Sequence, residues 1–126
     1  MNKYSVNPEF KFSDEDMVDI ISSATYDIGY WAGIHDSNDY YEARDELPKG
    51  ACYEDILFQM LKRGSEIIMY DIEDEDETWS LTLDKLLKGI KLTIQNGFWN
   101  GKLDDIDGEV GDIIFQMALF DEIVYG

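Results

Sequence analysis

Four stretches of this chain repeat apolar residues at intervals of three and four, a period that confines much of it to amphipathic helices. In the first, Met17, Ile20, Ile21, Ala24 and Ile28 follow Ser13, whose hydroxyl suits an N-cap. Asp14, Glu15 and Asp16 favour the positive end of its dipole, and Gly29 and Gly33 end or bend it. The second carries Tyr53, Ile56, Leu57, Met60 and Leu61, then Lys62 and Arg63 at the negative end and Gly64 as the stop. In the third, Thr82 caps a stripe of Leu83, Leu86, Leu87, Ile90 and Ile94, with Lys85, Lys88 and Lys91 on the other side. Val110, Ile113, Ile114, Met117 and Ala118 form the fourth. The spacing predicts helices over 14–28, 51–63, 82–96 and 109–120.

The run from Glu66 to Asp71 is rich in β-formers, and Thr78 to Leu81 alternates as a strand does, so the two pair as a hairpin with an acidic tip. Glu122 to Tyr125 is a short β-prone run that fits a third strand. Residues 1–12, with Pro8 and the aromatics Tyr4, Phe10 and Phe12, read as an N-terminal arm that lays its rings on the body. From His35 to Gly50 turn formers dominate, with room for a short helical turn over Tyr40 to Leu47. The expectation is one α+β domain over residues 1–126: four helices packed on a small antiparallel sheet, a hairpin joined by a possible C-terminal strand. A chain of 126 residues buries enough surface for a core without staples, and Cys52, the single cysteine, permits no intrachain disulfide.

Charge narrows the functional classes. Against 28 Asp and Glu stand 10 Lys and Arg, for a formal net charge of −18, yet 44% of residues are apolar and 13% aromatic, so this is no disordered acidic tail. Such a surface repels nucleic acid and anionic membranes and attracts basic surfaces. No stretch approaches the roughly 20 apolar residues of a membrane helix, and no apolar leader opens the chain, so the expected setting is a reducing cytoplasm.

Catalytic patterns are weak. His35 and Cys52 are the lone histidine and cysteine, without the flanking signature of a thiol enzyme. Asp105, Asp107 and Gly108 resemble the middle of an EF-hand loop, but that register puts Leu103 and Ile114 in the first and twelfth ligand positions, where Asp and Glu belong. Gly29 and Gly33 lack the Lys-Ser/Thr ending of a phosphate-binding loop. The reading is therefore a non-enzyme without cofactor or metal.

The distinctive feature is the acid distribution. Asp71, Glu73, Asp74, Glu75, Asp76 and Glu77 place six carboxylates in seven residues. A second group holds Asp104, Asp105 and Asp107 with Glu109 and Asp112, and a third holds Asp14 to Asp16 with Asp19. A charge run of this kind serves as a solvated turn in the plainest reading. Should the groups line one surface, they present charge at a density like that of a nucleic-acid backbone, and proteins that grip nucleic acid through Lys and Arg become its targets. The candidate partner-binding residues are thus Asp71, Glu73, Asp74, Glu75, Asp76, Glu77, Asp104, Asp105 and Asp107. Tyr30-Trp31, Trp79 and Phe98-Trp99 read as core aromatics, or as interface anchors where exposed.

Three segments carry a resemblance: Ile28 to Ala32, Leu81 to Ile90, and Ile113 to Gly126. In them the chain resembles small acidic proteins encoded by phages and other mobile elements of Firmicutes. The resemblance implies an accessory gene product acting inside a bacterium and carries over no functional residue. With the charge, it leads to the expectation of an acidic interaction protein that inhibits a host defence nucleic-acid enzyme, such as a CRISPR effector or restriction enzyme, by imitating DNA. Two alternatives stand beside it. One is a sequestering protein for a small signalling nucleotide, with Lys85, Lys88, Lys91 and Arg44 as its pocket; the other is a non-inhibitory accessory protein. The apolar end, Met117 to Phe120 with Ile123 to Tyr125, also suits a homodimer contact.

Overall fold

The computed structural model describes residues 4–7 and 10–126. The architecture is α+β, with antiparallel strand pairing throughout the described sheets. The arm folds into two short strands, β1 (Tyr4–Asn7) and β2 (Phe10–Phe12), paired with each other. Pro8 lies outside the described residues. Ser13 then caps α1 (Asp14–Asp27) reciprocally: its hydroxyl accepts from the Asp16 amide while the Asp16 carboxylate accepts from its own.

A 3₁₀ turn over Ile28–Tyr30 leads into β3 (Ala32–Ile34), and Ser37 caps α2 (Asn38–Asp45), the helical turn foreseen in that segment. After α3 (Tyr53–Lys62) come β4 (Ile67–Asp71) and β5 (Asp74–Leu81), then α4 (Leu83–Gln95), capped by Thr82, and α5 (Gly108–Phe120), capped by Asp107. The four helices expected from periodicity stand within two residues of their predicted ends.

The expected single sheet and its third strand need correction. Among the described residues there are five helices and two sheets, the β1–β2 pair and a sheet ordered β3-β4-β5. The third strand of the latter is β3, pairing Ala32 with Asp71 and Ile34 with Met69, and not the segment Glu122 to Tyr125. Two facts account for this. The amides of Val124 and Tyr125 are taken by the side chain of Gln116 and are not available to a strand ladder. Gly33, meanwhile, lets the Tyr70 ring lie across β3, where a Cβ would collide with it.

Helix α5 is the pivot, packed against both α1 and α4. Buried residues cover most of its circumference, from Val110 to Ala118, including Asp112 and Gln116. Glycines set the close approaches: a Cβ on Gly111 would fall 2.5 Å from the Ala24 amide nitrogen of α1, and one on Gly89 of α4 would meet the Ile114 carbonyl and Ala118 of α5. The buried apolar residues other than Met117 form one connected cluster.

Candidate functional site

The end of the molecule where α1 runs into β3 is organised by a buried carboxylate. Asp112, only 6% exposed, takes hydrogen bonds from Tyr30 Oη at 2.5 Å, Trp31 Nε1 at 2.8 Å and Gln116 Nε2 at 2.9 Å. A charge taken out of water is tolerated only when its lone pairs are satisfied, and three donors from two elements do so here. Gln116 completes the arrangement: its Oε1 accepts from the amides of Val124 and Tyr125, and its Nε2 donates to the Tyr125 carbonyl, fastening the segment after α5.

Fixed in that way, the Tyr125 ring stacks on Trp31 at 4.9 Å with an interplanar angle of 10°, and its hydroxyl donates to Asp71 Oδ2 at 2.9 Å. Trp79 and Phe120 complete the aromatic cluster around Trp31. Tyr30 differs from its neighbours in being pinned at its hydroxyl while 51% exposed. Desolvation, then the bond to Asp112, then the charges of Asp112 and Asp27 push its phenol up to about 12. Desolvation, the bond to Asp71 and the charges of Asp71, Glu77 and Glu73 do the same for Tyr125. Both phenols are neutral donors at physiological pH.

Two adjoining clefts open beside this pair and share Tyr30, Tyr125 and Gly126. One, of about 470 Å³, has Asp27, Glu109 and Asp112 among its walls with Phe98 and Ile123. The other, of about 250 Å³, is formed by Tyr30, Trp31, Asp71, Ile72, Glu73, Tyr125 and Gly126. Among the described residues no Lys, Arg or His lines either cleft.

The hairpin acids lie on this end. Asp71 and Glu73 line the smaller cleft, and Asp71 opposes Asp74 across the turn. Register then passes from Asp71–Asp74 to Tyr70–Thr78, so Glu75, Asp76 and Glu77 bulge outward, all exposed. None of the carboxylates from 71 to 77 pairs with a cation among the described residues. Asp104 and Asp105 form a 3₁₀ turn packed against α1, Asp105 accepting from the Asn100 amide; Asp107 is spent as the α5 N-cap. That loop meets the end of α1, where Gly108 packs on the Asp27 side chain. Asp112, grouped with these acids from sequence, is instead inside the protein.

The third acidic group sits elsewhere. Asp14 and Glu15 line a cleft of about 510 Å³ at the start of α1 together with Asp55, Lys49 and Lys62, and Lys62 Nζ reaches Asp14 at 3.2 Å. The cations considered for a nucleotide pocket are dispersed. Lys85 donates to the Ser80 carbonyl, Lys88 pairs with Asp121, and Arg44 lies over the Tyr41 ring beside Asp45. His35 lies against the Tyr70 ring, tilted by 36°, Cys52 is exposed at the head of α3, and no hydrogen bond joins His35 and Cys52 among the described residues. No group of three or more His, Cys, Asp or Glu among the described residues could hold a metal ion, and none of the described helices is long and apolar enough to cross a membrane.

Tyr30, Tyr125, Asp27 and Gln116 were not singled out as site residues by sequence. For Tyr30 the one available signal was an aromatic pair just after a helix exit; for Gln116 it was a polar residue inside an otherwise apolar helix. No family model, no curated protein and no solved structure matches this chain.

Proposed function

We propose that the chain is an acidic docking protein that presents its Tyr30–Tyr125 end to the basic nucleic-acid-binding surface of another protein and thereby competes with nucleic acid. The observation that supports this is the composition of the two clefts: Asp27, Glu109, Asp71 and Glu73 line them together with the shared Tyr30 and Tyr125, and no basic side chain is found among their described lining residues. Charge of one sign gathered around clefts steers an oppositely charged partner and raises its association rate. Exposed acids on the adjoining bulge, Asp74 to Glu77, extend the same field.

The partner class is a nucleic-acid enzyme of a bacterial defence system, following the resemblance to proteins of mobile elements. The test uses purified components: a CRISPR effector nuclease or a restriction enzyme, its DNA substrate, and this chain. Cleavage should fall as the chain is added and recover as DNA is raised, with inhibition weakening between low and high salt. Inhibition that DNA does not relieve, or an effect indifferent to salt, would rule out competition through this end.

A further inference from the structure

The smaller cleft has a composition that charge alone does not explain. Its lining combines the rings of Tyr30, Trp31 and Tyr125 with the carboxylates of Asp71 and Glu73, and two of its apolar side chains are left open to water. Tyr30 is 51% exposed and Ile72 44% exposed, while Trp31 beneath is 2% exposed. Tyr30 is not loose on the surface: its hydroxyl is anchored to buried Asp112, so its ring direction is set before any partner arrives. Tyr125 is likewise fixed at both ends, by Gln116 through its backbone and by Asp71 through its hydroxyl. The same lining holds Asp71, which accepts from the Tyr125 hydroxyl and from the Glu73 amide, and Glu73, which is exposed.

We infer that this cleft is a socket for an arginine side chain of a basic polypeptide. The inference rests on the docking reading above and names what that end recognises. A guanidinium is planar, carries five N–H donors in a fixed fork and is weakly hydrated, so it stacks on an aromatic face while donating to a carboxylate in its own plane. A lysine ammonium is a compact, strongly hydrated point charge and gains less from a flat wall. The exposed Ile72 side chain offers apolar surface for the arginine methylenes. A volume of about 250 Å³ suits one side chain, and the larger cleft continues from it across Tyr30 and Tyr125, with Asp27 and Glu109 available to a second basic residue of the same segment. That continuity favours a polypeptide over a free amino acid or a small amine.

The test titrates the intact chain with tetra-arginine and with tetra-lysine, peptides of equal charge, following heat of binding and the NMR signal of the Trp31 indole N–H. Tetra-arginine should bind about tenfold tighter than tetra-lysine, the margin expected of stacking plus a forked contact. Glu73→Gln should remove most of that preference, and among the described residues its side chain makes no hydrogen bond or ion pair that the substitution would break. Glu66→Gln, an exposed carboxylate at the far end of β4, should lower both affinities slightly and equally. Equal affinities for the two peptides, or equal effects of the two substitutions, would overturn the socket while leaving salt-dependent docking in place. Absence of binding by either peptide at low salt would overturn the socket and the docking reading together.

Discussion

Acids gather at both ends of α1, supplied at one by the helix itself and at the other by Asp27 with Glu109 of α5 and the hairpin, and the two ends finish as different surfaces. At the N-terminal end, Asp14 meets Lys62, Glu42 and Glu46 meet Arg63, and the neighbouring cleft mixes Asp55 with Lys49. At the other end, about 20 Å along the helix, Asp27 and Glu109 line one cleft and Asp71 and Glu73 the next, the two joined at Tyr30 and Tyr125, with no basic lining residue among the described ones. The difference comes from other elements, since α3 delivers its terminal Lys62 and Arg63 to one end only. A run of acids therefore says little about field until the counter-charges are placed.

The contrast extends to what holds each end. The Tyr30–Tyr125 end depends on a buried network, so removing one member leaves donors without acceptors. Asp112→Ala strands the Trp31 indole N–H and one Gln116 N–H in the interior, and a loss of about 3 kcal/mol is expected in denaturant unfolding. A loss under about 1 kcal/mol would mean that the network does not organise this end. Gln116→Met keeps volume but frees the amides of Val124 and Tyr125. It should cost roughly 1–2 kcal/mol and speed hydrogen exchange at those two amides, leaving α3 unaffected.

How this division was foreshadowed in sequence depends on the element. Helices announced themselves because stripe and cap agree at Ser13 and Thr82. Strand β3 did not: three residues with a glycine in the middle are too short for alternation to register. Glu122 to Tyr125 looked like a strand because its side chains are β-prone, but propensity is blind to the glutamine that takes its amides. Asp112 looked like surface because acids surround it in sequence, yet Gly111 brings α5 so close to α1 that the next residue turns inward beside Trp31. The acidic run, by contrast, was legible as exposed and part of a hairpin from composition, but its conformation was not: β5 already begins at Asp74, where a turn up to Thr78 was expected, so only Ile72 and Glu73 form the turn.

Alkali probes both ends with the same chemistry. Tyr30 and Tyr125 at one end and Tyr4, desolvated and bonded to Asp14, at the other are each raised from 10.0 to about 12. A phenol held neutral by the fold contributes stability that is fully present below pH 10, where the unfolded phenol is also neutral. That contribution is lost as pH rises from 10 through about 12. Tyrosinate absorbance should show a late-titrating fraction, with unfolding becoming easier across that window. Ionisation of all eight tyrosines near 10 would contradict the hydrogen bonds assigned here. The smallest effect is expected at the compensated end, where Lys62→Gln breaks a half-exposed pair and should change stability by less than about 1 kcal/mol.

The central claim is that the location of charge, and not its total, makes the docking end. Two variants test it, each replacing five carboxylates by amides and so moving the net charge from −18 to −13. One changes Glu73, Asp74, Glu75, Asp76 and Glu77; the other changes Glu15, Asp19, Glu54, Glu66 and Asp84. Both should fold, and the first should hold or gain stability as like-charge repulsion is relieved. The measurement is the tetra-arginine dissociation constant of each variant across a salt series. The account predicts that the hairpin variant loses most of the affinity and of the salt slope, while the second keeps nearly all of both. Equal losses in the two variants would contradict it and reduce the acids to a uniform solubilising coat.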